Sequence, residues 1–155
     1  MIFREAVHAD LPAIIALLAD DMLGKARDFP VVDDAYERAF AEIDADPRNF
    51  LIVADDGGEV VASMQITYIP GLGRHGAERS LFEAVRVRSD RRGHGLGQRL
   101  MTWAIEQARQ RGCALAQLTS DKARTDAHRF YTRLGFVASH EGMKLVLSTP
   151  PPGQG

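Results

Sequence analysis

One segment constrains the possible fold of this chain most. In it, a sequence typical of a strand is followed by a glycine-rich loop and then directly by a sequence typical of an amphipathic helix. Residues 81–87 predict the strand, and the loop reads Arg91-Arg92-Gly93-His94-Gly95-Leu96-Gly97. The helix that begins at Leu96 carries an apolar stripe formed by Leu100, Met101, Ala104, Ile105 and Ala108. Backbone N–H groups at such a helix start bind anions, and glycines let a phosphate approach closely. The pattern therefore predicts a diphosphate ligand, with Arg91 and Arg92 adding positive charge.

Two other interpretations of this loop are open. The glycines and arginines could form only a solvated turn. A dinucleotide-binding loop would place its ribose-binding acid at Asp121, but the glycines follow G-x-G-x-G rather than G-x-G-x-x-G. A nucleotide P-loop is excluded, because no Gly-Lys-Ser/Thr is present.

The order of predicted elements is β-α-α-β-β-β-α-β-α-β-β. Strands are predicted at 1–6, 50–54, 60–69, 81–87, 115–119, 136–138 and 143–147, with helices after Asp10, after Asp33, from Leu96 and around Ala127. Asp55 to Gly58 suits a tight hairpin turn, and 70–79 is predicted to be a mobile loop. This order indicates a mixed sheet with helices packed on it in a single domain over 1–147. The Pro/Gly-rich residues 148–155 are predicted to be a disordered tail.

The first helix is predicted from helical spacing of apolar residues. Leu11, Ile14, Ile15, Leu18 and Met22 form its stripe, with Asp10 as the cap. Asp33 is the predicted cap of the second helix.

Composition excludes several classes of protein. The 155 residues are 45% hydrophobic and 26% charged with a net charge of -2, which is typical of a globular domain without the basic excess of a nucleic-acid binder. No apolar run approaches the roughly 20 residues of a membrane span. The single cysteine, Cys113, indicates a reducing compartment, and we expect a cytoplasmic location. The five histidines show no metal-ligand spacing, so no metal is predicted.

Two motifs resemble the GNAT superfamily of acyl-CoA-dependent N-acetyltransferases. Arg92-x-x-Gly95-x-Gly97 is similar to the family's Q/R-x-x-G-x-G/A signature, and residues 127–136 resemble its A-x-x-F/L-Y-x-x-x-G-F segment. The element order is similar to the family's fold along nearly the whole chain. The resemblance implies an α/β (α+β) fold, with a mixed, mostly antiparallel sheet of about seven strands and four helices.

The resemblance also implies acetyl-CoA as co-substrate. Its implied binding residues are Val85, Arg86, Val87, Arg92, Gly93, His94, Gly95, Leu96, Gly97, Gln98, Ser120 and Arg124. Backbone amides of 92–97 would hold the pyrophosphate, and the strand around Val85 and Val87 would pair with the pantetheine. Arg124 stands where many family members have asparagine, so the family's contact to the cofactor from this position is not implied here. Arg124 could contact a phosphate of the cofactor instead.

Acetyl transfer to an amine needs a base, an oxyanion donor and a proton for the thiolate. By the two-residue strand period, Glu83 shares a face with Leu81, Val85 and Val87, and an apolar face would raise its pKa towards that of a general base. Glu83 could equally form an ion pair with an arginine such as Arg79 or Arg124. The resemblance implies Tyr131 as the proton donor to the thiolate and the N–H of Val85 as the oxyanion donor. Tyr131 also fits a core stripe beside Phe130.

The acceptor is predicted only as a small-molecule or peptide amine. The carboxylates Asp20, Asp21, Asp28, Asp33 and Asp34 could attract a cationic amine or could form a solvated face. We expect direct transfer without an acetyl-cysteine, no nucleic-acid or membrane partner, and compatibility with a homodimer. A catalytically silent acyl-CoA-binding or sensing module is the alternative.

Overall fold

The computed structural model describes residues 1–20 and 31–148. The chain divides into two compact units, Met1–Leu118 and Thr119–Gly155. Asp21, Met22, Asp28 and most of the predicted tail (149–155) lie outside the described residues. The single domain predicted over 1–147 stays a prediction.

The first unit is a five-stranded sheet with helices. Its elements are β1 (Ile2–Glu5), α1 (Leu11–Ala19), α2 (Asp34–Ala45), β2 (Asn49–Asp56), β3 (Glu59–Ile69), the single turn α3 (Gly73–Gly76), β4 (Arg79–Val87), α4 (Leu96–Arg111) and β5 (Leu115–Gln117). The strands lie in the order β1-β2-β3-β4-β5, and among the pairings that the structure describes only β4–β5 is parallel. This mixed, mostly antiparallel sheet confirms the predicted fold class.

The hairpin between β2 and β3 forms where the sequence predicts it. Gly57 and Gly58 both have positive φ, at 63° and 96°, as a tight two-residue turn requires. The N–H of Gly58 also donates to Asp55 Oδ1 at 2.7 Å. The turn chemistry therefore fixes the β2–β3 register locally.

Apolar residues cover both faces of the sheet. On one face, α1 and α2 pack on the sheet through a buried cluster that includes Ile14, Phe40 and Val53. The adjacent residue Ile52 lies on the opposite face, where it lines a cavity together with Trp103 of α4. The sheet is thus enclosed by helices from both sides.

Helix α1 differs from the prediction in two ways, one near its end and one at its start. Leu17 is buried and Leu18 is 38% exposed, so Leu17 replaces Leu18 in the stripe. Asp10 precedes α1 but makes no side-chain cap bond to it. Its carboxylate accepts from the N–H of Val7 at 2.8 Å and pairs with Arg4 instead, because a buried carboxylate binds a guanidinium more strongly than a neutral amide. By contrast, Asp33 caps α2 as predicted.

Asp10→Asn is expected to destabilise the protein by about 1–3 kcal/mol at pH 7. Arg4 holds the pKa of the Asp10 carboxyl below its ordinary value through two hydrogen bonds, at 2.7 and 3.1 Å. A lowered pKa gives stability that is complete above the unfolded-state pKa and is lost as the pH falls through the folded-state pKa. Urea unfolding should therefore show the full difference at pH 7 and a smaller one below pH about 4. Asp44→Asn on exposed α2 is the control, and an equal loss there would contradict the assignment.

The second unit, described to residue 148, contains α5 (Thr125–Arg133) and no strand in its described part. The strands predicted at 136–138 and 143–147 are therefore wrong, and the described residues form a sheet of five strands rather than about seven. An alternating apolar pattern becomes a strand only where the backbone finds a hydrogen-bonding partner strand. Here Val137, Met143, Leu145 and Leu147 are 82–93% exposed.

None of the described helices is long and apolar enough to cross a membrane.

Candidate active site

Strand β4 contains a bulge at Ala84. Gln65 of β3 pairs with Glu83 and Ser63 pairs with Arg86, so β4 has one residue more than β3 across this interval. Ala84 has a φ of 52°, in the left-handed region that L-residues other than Asn and Asp rarely adopt. The bulge leaves Ala84 and Val85 without partners of their own in the ladder.

The bulge corrects the predicted position of Glu83. Residues directly opposite each other share a face, so Glu83 lies on the face of Gln65 and Val87 on the face of Ala62. Because β3 alternates regularly between Ala62 and Gln65, these are opposite faces. The prediction that Glu83 shares a face with Val87 is wrong, because one inserted residue inverts the side-chain alternation.

Glu83 is exposed rather than set in an apolar environment. The desolvation on which its predicted role as a general base depended is therefore missing. The alternative ion pair with Arg79 is also not formed, since Glu83 has no hydrogen bond or ion pair among the described residues. Its carboxylate is available to a ligand.

Within the described part of the first unit, the edge of β4 that faces β5 is open along most of its length. β5 pairs with β4 only over Arg79, Ser80 and Leu81, whereas β4 continues to Val87. Beyond Leu81 this edge can add main-chain hydrogen bonds to an extended ligand. Val85, Arg86 and Val87, which were predicted to bind the pantetheine, lie on this open segment.

The loop after β4 leads into an uncapped helix N-terminus. Gly93 and Gly95 both have a φ of 80°, and a Cβ added at either would meet no protein atom within 4 Å. Gly95 occupies the N-cap of α4 without a side-chain hydrogen bond to the first turn. The first intrahelical bond from Arg99 reaches Gly95 O at 3.1 Å, so the N–H groups of Leu96, Gly97 and Gln98 point out of the helix. Such a cradle fits a diphosphate.

The arginines of the loop, which were predicted to add positive charge for a diphosphate, bind protein groups in the structure. Arg91 pairs with Asp56 at 2.7 Å. Arg92 donates to Val87 O at 3.0 Å and to Asp20 O at 3.1 Å. These bonds hold the loop against β4 and the end of α1.

The second unit contains three of the predicted site residues, Ser120, Arg124 and Tyr131. Tyr131 lies in α5, with its ring 5.1 Å from Phe130 and 6.0 Å from Phe136. Arg124 is the exposed N-cap residue of α5. Ser120 Oγ is buried and has no hydrogen-bond partner among the described residues, so it can bind a polar group.

Two further groups bear on the chemistry. Burial, with the nearby Glu78 carboxylate, raises the pKa of the Cys113 thiol, which keeps it protonated and poorly nucleophilic. Among residues 1–20 and 31–148, no group of three or more His, Cys, Asp or Glu side chains is arranged to hold a metal ion.

Sequence analysis missed a polar network beside Glu83. Asn49 Oδ1 accepts from Gln65 Nε2 at 3.1 Å and from Thr67 Oγ1 at 2.8 Å, while Asn49 Nδ2 donates to Asp46 Oδ2 at 2.8 Å. The available signal was the alternation of Gln65 and Thr67 with buried apolar residues in β3, which places both on one face.

Comparison with known proteins identifies related enzymes. The model of the Acetyltransferase (GNAT) family matches residues 12–136. The aminoalkylphosphonate N-acetyltransferase of Salmonella typhimurium is 32% identical over 137 residues, covering 88% of this chain and 85% of that protein.

Solved structures agree with this relationship. A Bacillus halodurans C-125 protein described as a transcriptional regulator is 48% identical with a TM-score of 0.89, over 94% of this chain and 99% of that one. A putative acetyltransferase from Agrobacterium tumefaciens is 27% identical with a TM-score of 0.84, over the same shares. With the glycine loop, the open edge of β4 and a family match over most of its length, this chain belongs to the GNAT family of acetyltransferases.

Proposed function

We propose that this protein is an N-acetyltransferase that transfers the acetyl group of acetyl-CoA directly to a primary amine in a ternary complex. The observation that best supports this is the continuity of an open strand edge with an uncapped helix N-terminus. Beyond Leu81 that edge suits an extended amide-bearing arm, and the turn at Gly93 and Gly95 suits the diphosphate at its end.

The proposed cofactor contacts are mainly from the backbone. The main chain of Arg92, Gly93, His94, Gly95, Leu96, Gly97 and Gln98 binds the diphosphate, and Val85, Arg86 and Val87 pair with the pantetheine arm. Ser120 and Arg124 are proposed as further polar contacts. The exposed side chain of His94 is therefore free to vary.

Acetyl-CoA supplies an activated acyl carbon as a thioester. The amine nitrogen forms the new C–N bond while the C–S bond breaks, and the amine loses one proton. Glu83 is proposed to take that proton, directly or through water, because no protein group engages its carboxylate among the described residues. The N–H of Val85 stabilises the charge on the carbonyl oxygen, and Tyr131 gives a proton to the leaving thiolate. The protonated state of Cys113 supports direct transfer without an acyl-cysteine.

The acceptor is proposed to be a small primary amine. The related Salmonella enzyme is named for aminoalkylphosphonates, so these are the first acceptors to test. The acidic residues near the first two helices give less support, since Asp20 pairs with Arg92 and Asp33 caps α2. Cys113 as the single cysteine is consistent with a cytoplasmic reaction.

Thiol release from acetyl-CoA tests the proposal. We expect amine-dependent release for at least one member of a panel containing aminoalkylphosphonates, amino acids, amino sugars, aminoglycosides and a lysine peptide. Reactions without amine measure background hydrolysis. Absence of CoA binding to the protein would contradict any acyl-CoA function.

A catalytically silent acyl-CoA sensor is the second candidate. It is favoured by the description of the 48% identical Bacillus halodurans protein as a transcriptional regulator. CoA binding combined with no thiol release across the whole panel would select the sensor over the enzyme.

A further inference from the structure

Building on the proposed function, we propose that Gln65 is a specificity-determining residue for the amine acceptor. Its carbonyl Oε1 accepts one N–H of a primary amine, while Glu83 accepts the other. The two groups therefore select an acceptor nitrogen that carries at least two hydrogens.

The register places these two side chains next to each other. Gln65 of β3 lies directly opposite Glu83 of β4, so their Cβ atoms are separated by about 4.5–5.5 Å on one face. Gln65 is half-buried and Glu83 is exposed. No hydrogen bond joins these two side chains, and Gln65 Nε2 donates to Asn49 Oδ1.

The orientation of the Gln65 amide follows from a charge two hydrogen bonds away. A carboxylate only accepts hydrogen bonds, so Asp46 obliges Asn49 to present its Nδ2 group, at 2.8 Å. Hydrogen bonds from the backbone N–H of Arg48 and from Asn49 lower the pKa of Asp46, which keeps it ionised. Asn49 must then direct its Oδ1 towards Gln65. Because this oxygen accepts hydrogen bonds, Gln65 donates to it through Nε2.

The side-chain oxygen of Asn49 has no further capacity to accept hydrogen bonds. Thr67 Oγ1 and Gln65 Nε2 donate to Asn49 Oδ1, and together they fill its two lone pairs. Gln65 Oε1 is thereby held as an acceptor and accepts no hydrogen bond from the described residues. Asp46, Asn49 and Thr67 act as positioning residues for Gln65.

Two adjacent acceptors suit one ligand group. A neutral primary amine has two N–H bonds and one lone pair, so two acceptors on the sheet surface fix both hydrogens and with them the direction of the lone pair. A secondary amine of similar shape satisfies only one acceptor. The other acceptor then lacks the hydrogen bond that it receives from a primary amine. This loss lowers kcat/KM for the secondary amine.

The test compares the most active primary amine of the panel with its N-methyl derivative. For the wild type we expect kcat/KM to favour the primary amine by about tenfold or more, the worth of one hydrogen bond to a polar group. Gln65→Leu should reduce this preference to within about threefold while the KM for acetyl-CoA stays within about twofold. Gln110→Leu, which changes an exposed glutamine on α4, is the matched control and should retain the preference.

Asp46→Asn tests the positioning network without changing Gln65. Asparagine can still accept from the N–H of Arg48 but can also donate to Asn49, which allows both amides to reverse. We expect an intermediate preference with unchanged acetyl-CoA kinetics, whereas a purely structural role would lower stability and leave the preference intact.

The outcomes separate the two proposals. A wild type that shows no transfer to any amine overturns the proposed function and the role of Gln65 with it. An active wild type without a primary-amine preference, or a Gln65→Leu variant that keeps the wild-type preference, overturns the role of Gln65 alone.

Discussion

Gly95→Val is expected to abolish the stabilisation of this protein by CoA. At a ligand concentration of about 100 times Kd, binding stabilises a folded protein by about 2.7 kcal/mol, which raises the Tm of a chain of this size by roughly 5–10 °C. Gly95 has a φ of 80° at the N-cap of α4. A valine side chain there is strained and projects into the space that a phosphate needs to reach the free N–H groups. Differential scanning fluorimetry with and without CoA measures the loss.

The control for this experiment is Gly112→Val at the other end of the same helix. Gly112 has a φ of 87°, and a Cβ added there meets no atom within 4 Å, as at Gly95. Both variants should have a lower Tm, but only Gly112→Val should retain the CoA-dependent shift. A normal shift in Gly95→Val would contradict the assignment of this loop to the diphosphate.

Tyr131→Phe is expected to lower kcat by about 10- to 100-fold, with the KM for acetyl-CoA within about twofold of the wild type. The loss corresponds to removal of one proton donor to a leaving group. Phenylalanine keeps the ring contacts with Phe130 and Phe136, so the packing around α5 is retained. Steady-state measurement of thiol release gives both constants.

Tyr68→Phe makes the same chemical change elsewhere. Tyr68 is a buried residue of β3, and its ring lies beneath the Arg111 guanidinium at 4.0 Å, a contact that phenylalanine preserves. We expect its kcat to equal that of the wild type. If Tyr131→Phe also keeps the wild-type kcat, Tyr131 has only the packing role that its place in the aromatic stripe allows.

Much of the fold follows from local sequence signals. The hairpin at Gly57 and Gly58 and the start of α4 at Gly95 were predictable, because positive φ angles restrict those positions to a few residue types. The cap at Asp33 was predictable for a similar reason, since its carboxylate satisfies N–H groups only two and three residues away.

The bulge at Ala84 could not be predicted in the same way. Alanine is not a residue type that indicates a left-handed conformation, and the extra residue is visible only when β3 is paired with β4. Every inference that crossed the bulge by counting in twos, including the apolar surroundings of Glu83, failed. The face shared by Gln65 and Thr67 lies within β3 and needs no knowledge of the bulge, so it could have been inferred from the sequence.

Long-range ion pairs were a second limit on what could be predicted from the sequence. Arg92 reaches Asp20, 72 positions away, so the sequence motif shows the arginine but not its partner. The exposed segment around Val137 and Leu145 shows a third limit on prediction from sequence. Alternation of apolar and polar residues suggests a strand, but it does not show whether a partner strand is present.

Under the proposed roles, the bulge in β4 separates the part of the strand that contacts the acceptor from the part that contacts the coenzyme. Before Ala84, the strand presents the Glu83 side chain beside Gln65, where substitutions are proposed to change which acceptor is preferred. After Ala84, the strand offers an unpaired backbone edge, whose hydrogen bonds survive most changes of side chain. Acceptor choice can therefore diverge among descendants of such a chain while coenzyme use is inherited unchanged.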